Sequence, residues 1–433
     1  MPNASDLPTP ERIAIEAEHG LKIIAKWATL LLPIAFAAGS KPSDVVCSII
    51  AITFLAHCIT TRNFSWVHQD WLKILALLWV YTLVRGAFAE TPIQGILEAL
   101  AWSRFLLLAA ALGTWILIDA AWRHKFMLSV TAVSAFLASD AIFQYIVGVD
   151  VFGIPYVSGD AELGVRLTAS IGKVYVGAAL SWMFLPAALG LYALNYRIAS
   201  AAFAGLCLLA ILLTGERMAT LAALAAFALA LPFLRLSRRT LTTIALVTIV
   251  GVVSLLALRP NLYERQVRSM LAMAQNVGGN AYGIIWKRSL HIASEHPIFG
   301  IGMGQFRTEC RKPMYGPYDA SDRNKSFYCD AHPHHIYLEW MVEGGLVAVS
   351  LFALGVGALF RRLLQHMLAS PRNLVLIGAS LTLAIRLFPF STSPGLMRAW
   401  AAIPLWMMMG WAFSYVYASE PKSAAKPSTT TPT

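Results

Sequence analysis

Long apolar runs recur from one end of this 433-residue chain to the other, more of them than any soluble core of that length can absorb. Read between charged or turn-rich breaks, they give twelve candidate spans, at about 21–38, 44–60, 72–89, 104–121, 126–147, 173–194, 198–214, 218–235, 240–258, 335–358, 373–390 and 398–417. With 58% hydrophobic and only 13% charged residues, the predicted fold class is an all-α, polytopic integral membrane protein forming one domain over residues 1–433. Two windows are irregular. Window 44–60 carries His57, and window 373–390 contains Arg386 and ends in Pro389, so either suits a broken or re-entrant helix.

Lys and Arg resist translocation in short loops, and this sets the expected orientation. Arg62, Arg123, Lys125, Arg197, Arg235, Arg238, Arg239, Arg361, Arg362 and Arg372 share one side if both termini are cytoplasmic. The net charge of +11 is then partly a topology signal, and no interleaved basic and aromatic pattern points to a nucleic-acid partner. Ala35-Phe36-Ala37 resembles a signal-peptidase site, but the run before it is long and follows a polar segment, so a retained first span is expected. The Pro-, Thr- and Ser-rich stretch 418–433 reads as a disordered cytoplasmic tail.

One large external segment, about 259–334, separates the ninth and tenth spans. Its first half, Asn261 to His296, has few breakers and suits amphipathic helices on the membrane surface; its second half is loop-like. Cys47, Cys58 and Cys207 fall in apolar spans and read as buried small residues. Cys310 and Cys329 both fall in the external segment, where an oxidising compartment predicts a disulfide worth about 3 kcal/mol in the chain-entropy model.

The same segment holds ten basic residues against six acidic ones, and Arg217 joins them from a very short external turn. Arginines converging near a membrane surface can grip a phosphate through bidentate hydrogen bonds. Lipid headgroups or the neighbouring Glu264, Glu295 and Glu309 are the plainer partners for any one of them. No P-loop is present, because Gly172-Lys173 lacks the upstream glycine and is followed by Val174; no Asp-x-Asp pair offers a metal site. No cofactor is expected.

His332, His334 and His335 cluster where the loop enters the tenth span. With Asp330 and Glu339 they could ligate zinc, but adjacent residues rarely point at one centre. Interfacial anchoring is a second reading, and acid/base chemistry a third. Arg85, Asp140 and Arg386 lie inside spans; they would suit a secondary transporter or an ion pair within the bundle.

His334-His335-Ile336-Tyr337-Leu338 followed by Glu343-Gly344-Gly345-Leu346 resembles the signature of the O-antigen ligase, O-antigen polymerase and bacterial O-oligosaccharyltransferase superfamily. Trp286-Lys287-Arg288 and the run Pro297 to Phe306 resemble its large periplasmic loop, and Leu213-Thr214-Gly215-Glu216-Arg217 its arginine-bearing turn. The chain departs from the pattern at His335, where Asn, Ser or Gln is usual, and at Ala348, a common glycine. The resemblance covers about the central third of the chain.

The resemblance implies glycan transfer in a bacterial inner membrane, from an undecaprenyl-diphosphate-linked polysaccharide to an acceptor hydroxyl on the periplasmic side. It implies catalytic roles at His334 and His335, with His334 in register as the base, and donor-diphosphate binding by Arg217, Arg265 and Arg288, with Arg268 in reserve. An activated glycosyl diphosphate would explain the missing nucleotide motif, and fixed arginines could replace a metal at the leaving group. Motif likeness and size favour the ligase branch, whose acceptor is lipid A-core, over polymerase or protein O-oligosaccharyltransferase.

Overall fold

All twelve apolar windows lie on helices. The computed structural model describes residues 10–158, 165–316, 329, 332–392 and 395–419. The chain runs through α1 (Pro10–Ala37), α2 (Ser40–Thr61), α3 (Asp70–Ala87), α4 (Pro92–Ala111), α5 (Ala120–Val147), α6 (Val176–Ala193), α7 (Arg197–Leu213), α8 (Arg217–Ala230) and α9 (Arg238–Leu258). The large segment then supplies α10 (Pro260–Tyr263), α11 (Ser269–Gln275), α12 (Ala281–Glu295) and α13 (Phe306–Glu309), before α14 (Ile336–Ala369), α15 (Leu374–Arg386) and α16 (Ala399–Ala418). The fold is all-α apart from a minimal antiparallel ladder, β1 (Val157–Ser158) with β2 (Val165–Arg166), in the loop after α5.

Among the described residues, eight helical segments are long and apolar enough to cross a membrane: α1, α2, α4 continued to Ile116, α5, α6, α8 continued to Leu234, α9 and α14. Helices α7 and α15 are apolar but shorter. Helix α3, with Asp70, Lys73 and Arg85, and α16, rich in Trp and Tyr, complete the twelve. Three boundaries differ from the sequence reading. The fourth helix starts at Pro92, a residue whose missing N–H costs nothing at a first turn, and the tenth runs on to Ala369. The eleventh stops at Arg386 after 13 residues, about 20 Å of helix, too short to span unaided. The other irregular window is a full 22-residue helix in which His57 stacks on Trp115 at 4.4 Å. The expected tail lies outside the described residues beyond Ser419.

Helices α6 and α16 carry no charged side chain and are buried almost throughout, with α15 packed against both. These three form the centre of the bundle. Helix α9 is the opposite case: none of its residues is buried, and it faces α8 across an apolar groove of about 340 Å³ lined by residues such as Phe227, Leu231, Ile244 and Val252.

Hydrogen bonds gather the connections at one end of the bundle. Thr91 and Gln94, between and within α3 and α4, bond Gln305 and Gly304; Ser170 donates to Ala37 O; Tyr337 donates to Leu387 O. Helices α10 to α12 lie on this end, and α12 packs on α14.

The first turns of α14 are separated from the rest by a break at Gly345, where φ is +65° and ψ −165°. Carbonyls and amides freed there need partners in a membrane protein, and the segment 297–302 supplies them. Ile301 N donates to Val342 O at 3.0 Å, Gly302 N to Glu343 O at 2.7 Å, and Leu346 N to Pro297 O at 2.9 Å. From α3, Tyr81 donates to Gly344 O at 2.7 Å, while Arg85 donates to Phe299 O at 3.1 Å and Gly300 O at 2.7 Å. A Cβ on Gly345 would collide with the backbone of Ile298, whereas one on Gly357, in the same helix, would meet nothing within 4 Å. Gly345→Ala should therefore destabilise the protein by about 2–4 kcal/mol while Gly357→Ala is neutral or slightly stabilising. Thermal unfolding of the two purified variants beside the parent checks this; equal midpoints would remove the break from the account.

Candidate functional site

The turn 214–216 between α7 and α8 works because Gly215 adopts φ +71° and has no side chain. Arg265 lies across it, its Nε donating to Gly215 O at 2.8 Å; a Cβ on Gly215 would collide with that nitrogen. Arg265 sits in a π-helical turn, Glu264–Arg268, between α10 and α11. The next residue, Gln266, is buried and donates to Leu212 O at 2.9 Å and Thr220 Oγ1 at 3.2 Å, fastening the turn to α7 and α8.

Glu216 points the other way. Its carboxylate accepts from Gly177 N at 2.7 Å and Ala178 N at 3.1 Å, occupying the positive end of the α6 dipole. Arg166 from β2 and Arg265 stand near this carboxylate, and Arg217 at the start of α8 is close enough to feel both guanidiniums. Burial, and next the charges of Arg166 and Arg217, pull Arg265 down to about 10, which leaves it cationic at neutral pH. Arg386 also reaches toward Glu216 from within the bundle, bonded to Ala178 O and Ser181 Oγ with its guanidinium 4.8 Å over the Trp182 ring.

Helix α12 carries the link to the histidines. Tyr282 lies within electrostatic reach of Arg217 and places its ring edge on His334, centroids 5.6 Å apart. Trp286, one turn on, meets His335 at 5.9 Å. The three histidines differ by backbone. His334 adopts a left-handed φ of +57°, a conformation that costs a non-glycine residue energy and marks functional sites. His335 is the N-cap of α14: its Nδ1 accepts from Leu338 N at 3.2 Å, and it also bonds the backbone of Pro389. His332 is buried, its ring 4.2 Å from that of His334. It packs with Glu339 on the backbone of Gly395, and Glu339 accepts from Leu396 N at 3.0 Å. Burial first, then the His334 and Arg398 charges, pushes His332 down to about 3.

Cys310 and Cys329 are joined in a buried disulfide. Arg288 is held there, its Nη1 3.1 Å from Cys329 Sγ and its guanidinium against Gly316. So of the residues singled out in sequence, the structure brings Arg217, Arg265 and His334 to one region, spends His335 on the helix cap, and places Arg288 under the disulfide. Arg268 is exposed and pairs with Glu264 at 2.9 Å. Sequence reading missed Arg166, Tyr282 and the Gly345 break; the aromatic residues of α12 at i, i+4 were the available signal for Tyr282 and Trp286. Among the described residues no group of three or more His, Cys, Asp or Glu is placed to hold a metal, and Asp330 lies outside them.

Fold and site together define a polytopic membrane protein with a cationic cluster and a histidine cluster joined at one end of its bundle. Residues 202–353, from α7 into α14, match the family model described as O-antigen ligase, a match that supports the O-antigen ligase and polymerase superfamily. Its members are glycosyltransferase-like enzymes. No curated protein is matched.

A histidine whose folded pKa lies below its unfolded value binds fewer protons in the native state, so stability is complete above pH 6.5 and is lost as pH falls toward 3. At pH 5 the loss from His332 is about 2 kcal/mol. The thermal midpoint of the parent should fall between pH 7.5 and pH 5 by more than that of His332→Gln, and parallel pH curves would show that His332 is not buried as a neutral ring.

Proposed function

We propose that the protein is an O-antigen ligase of the bacterial inner membrane, moving a polysaccharide from undecaprenyl diphosphate to a sugar hydroxyl of lipid A-core. The observation that carries this is the sequence of contacts Arg217, Tyr282, His334: a cluster of fixed positive charge one aromatic ring away from an imidazole, inside the segment that matches the family. Both substrates are lipid-anchored, which suits a site at the membrane-facing end of a bundle. The positive-inside pattern supports cytoplasmic termini and a periplasmic site in this reading.

In this reading His334 accepts the acceptor hydroxyl proton as the oxygen attacks the anomeric carbon. The new C–O bond forms as the bond to the diphosphate breaks, and the electron pair leaves with the diphosphate, inverting the centre. Arg217 and Arg265 stabilise the charge that develops on it in a site shielded from water. Arg288 acts indirectly, by bracing the disulfide-bearing loop against α12. His335 orients the first turn of α14 and so the backbone of His334 beside it.

His334→Ala should lower transfer by about 10²–10⁴-fold with the fold intact, and His335→Ala should act chiefly by lowering the thermal midpoint, by roughly 1 kcal/mol of lost cap. The assay uses purified protein, polyprenyl-diphosphate glycan and lipid A-core in EDTA. Longer polyprenyl-linked glycans in place of modified lipid A-core would make the protein a polymerase; full activity of His334→Ala would sink the base assignment.

A further inference from the structure

The loop between α5 and α6 is anchored far more firmly than a surface connection requires. Two buried side chains of α5 hold it by its backbone. Asp140 accepts from Val151 N at 2.9 Å and Ser170 N at 2.7 Å. Gln144 accepts from Thr168 N at 2.8 Å and Ala169 N at 2.9 Å, and its amide nitrogen donates to Ile154 O at 3.1 Å and Thr168 Oγ1 at 3.0 Å. Asp150 closes the inner turn by accepting from Phe152 N and Ile154 N. Burying an aspartate and a glutamine is costly unless each lone pair is used, so these contacts leave the loop little freedom.

What the anchored loop delivers is Arg166, on β2 opposite Val157. Its Nη2 donates to Val174 O at 3.3 Å, which sets the guanidinium at the entrance to α6, three residues before the amides that hold Glu216. Arg265 holds the turn that carries Glu216 through Gly215 O. The Nε of Arg166 is buried and meets no hydrogen-bond acceptor among the described residues. Arg166 and Arg265 thus share with Arg386 one carboxylate whose two oxygens are already engaged by backbone amides, and Arg217 stands beside the first two. Arg166 raises the cost of keeping Arg265 charged, so among the described residues the fold gathers like charges that a further anion would reconcile.

We propose that Arg166 is a third arm of the diphosphate-binding site, positioned by Asp140 and Gln144 through the backbone of the α5–α6 loop. This rests on the function proposed above for Arg217 and Arg265. It adds a residue from outside the large external segment and from outside the stretch that matches the family. A guanidinium fixed at Val174 meets the cluster from the entrance to α6 and one fixed at Gly215 meets it from the α7–α8 turn, so that a diphosphate would be gripped between two loops rather than from one.

The test uses full-length protein in detergent and inorganic pyrophosphate as the probe, with affinity read from the rise in thermal midpoint and from competition against transfer. Arg166→Gln should weaken pyrophosphate binding roughly tenfold or more, and Arg166→Lys by less, because a lysine keeps the charge and loses the fork. The donor KM should rise with each in the same order while the pH profile of kcat is unchanged. Midpoints without pyrophosphate identify any variant that merely fails to fold, and Arg166→Lys then carries the comparison. Unchanged pyrophosphate affinity in both variants would reduce Arg166 to a structural partner of Glu216 and leave the proposed function standing. Arginine-dependent pyrophosphate binding in a protein that transfers no glycan would keep the anion site and overturn the proposed function instead.

Discussion

A backbone amide or carbonyl released from its helix inside a membrane protein cannot turn to water, and the break in α14 is organised around that constraint. The first turns of α14 are placed by the way Val342, Glu343, Gly344 and Leu346 recover their partners. The recovery draws segment 297–302 onto the helix, and α3 closes over both through Tyr81 and Arg85. With α14 interrupted, its first turns form a short separate helix that is capped by His335 and steered by α12. The unusual backbone of His334 immediately precedes that cap, so its orientation is inherited from the break rather than from the loop alone.

The layout of helices was legible in the sequence because a membrane span needs little more than apolar length, which is a local property. The disulfide was legible too, since both cysteines share one loop. Arg85, Asp140 and Arg386 were legible as intramembrane charges but not as what they do. Read as transport residues or ion pairs, they bond backbone groups: Arg85 the carbonyls of 299 and 300, Asp140 the amides of 151 and 170, Arg386 the carbonyl of 178, and Arg386 alone of the three also faces an opposite charge inside the bundle, Glu216. A buried charge on a helix announces a cost; the loop that repays it lies elsewhere in the chain. Arg166 was invisible for the same reason, because it sits in a loop with no motif and acquires its neighbours only when Gln144 and Asp140 fold that loop back. The adjacent His334 and His335 are identical in side chain, and only the backbone tells them apart.

The arginine cluster and the histidine cluster are built on opposite principles. Around Glu216 the fold tolerates excess like charge, held at the rim by carbonyls of Gly215 and Val174 that accept but do not neutralise. Around His332 it removes charge, packing a ring that stays neutral against His334 and Glu339. Tyr282 and Trp286, successive turns of α12, lie beside the histidines with Tyr282 also facing Arg217, so a single helix keeps the two environments in register.

Helix α9 buries no residue and packs on the bundle only through side chains such as Val252, Leu255 and Leu256, and at 21 residues its length is about 31 Å, close to the thickness of a bilayer's hydrocarbon. Its angle is therefore open to the lipid around it. A thinner membrane would lean it over and a thicker one would draw it upright, at a fraction of a kcal/mol per ångström of mismatch. Because α9 passes through Arg259 and Pro260 directly into the turn that carries Arg265, the helix most exposed to lipid and the arginine cluster share one continuous stretch of backbone.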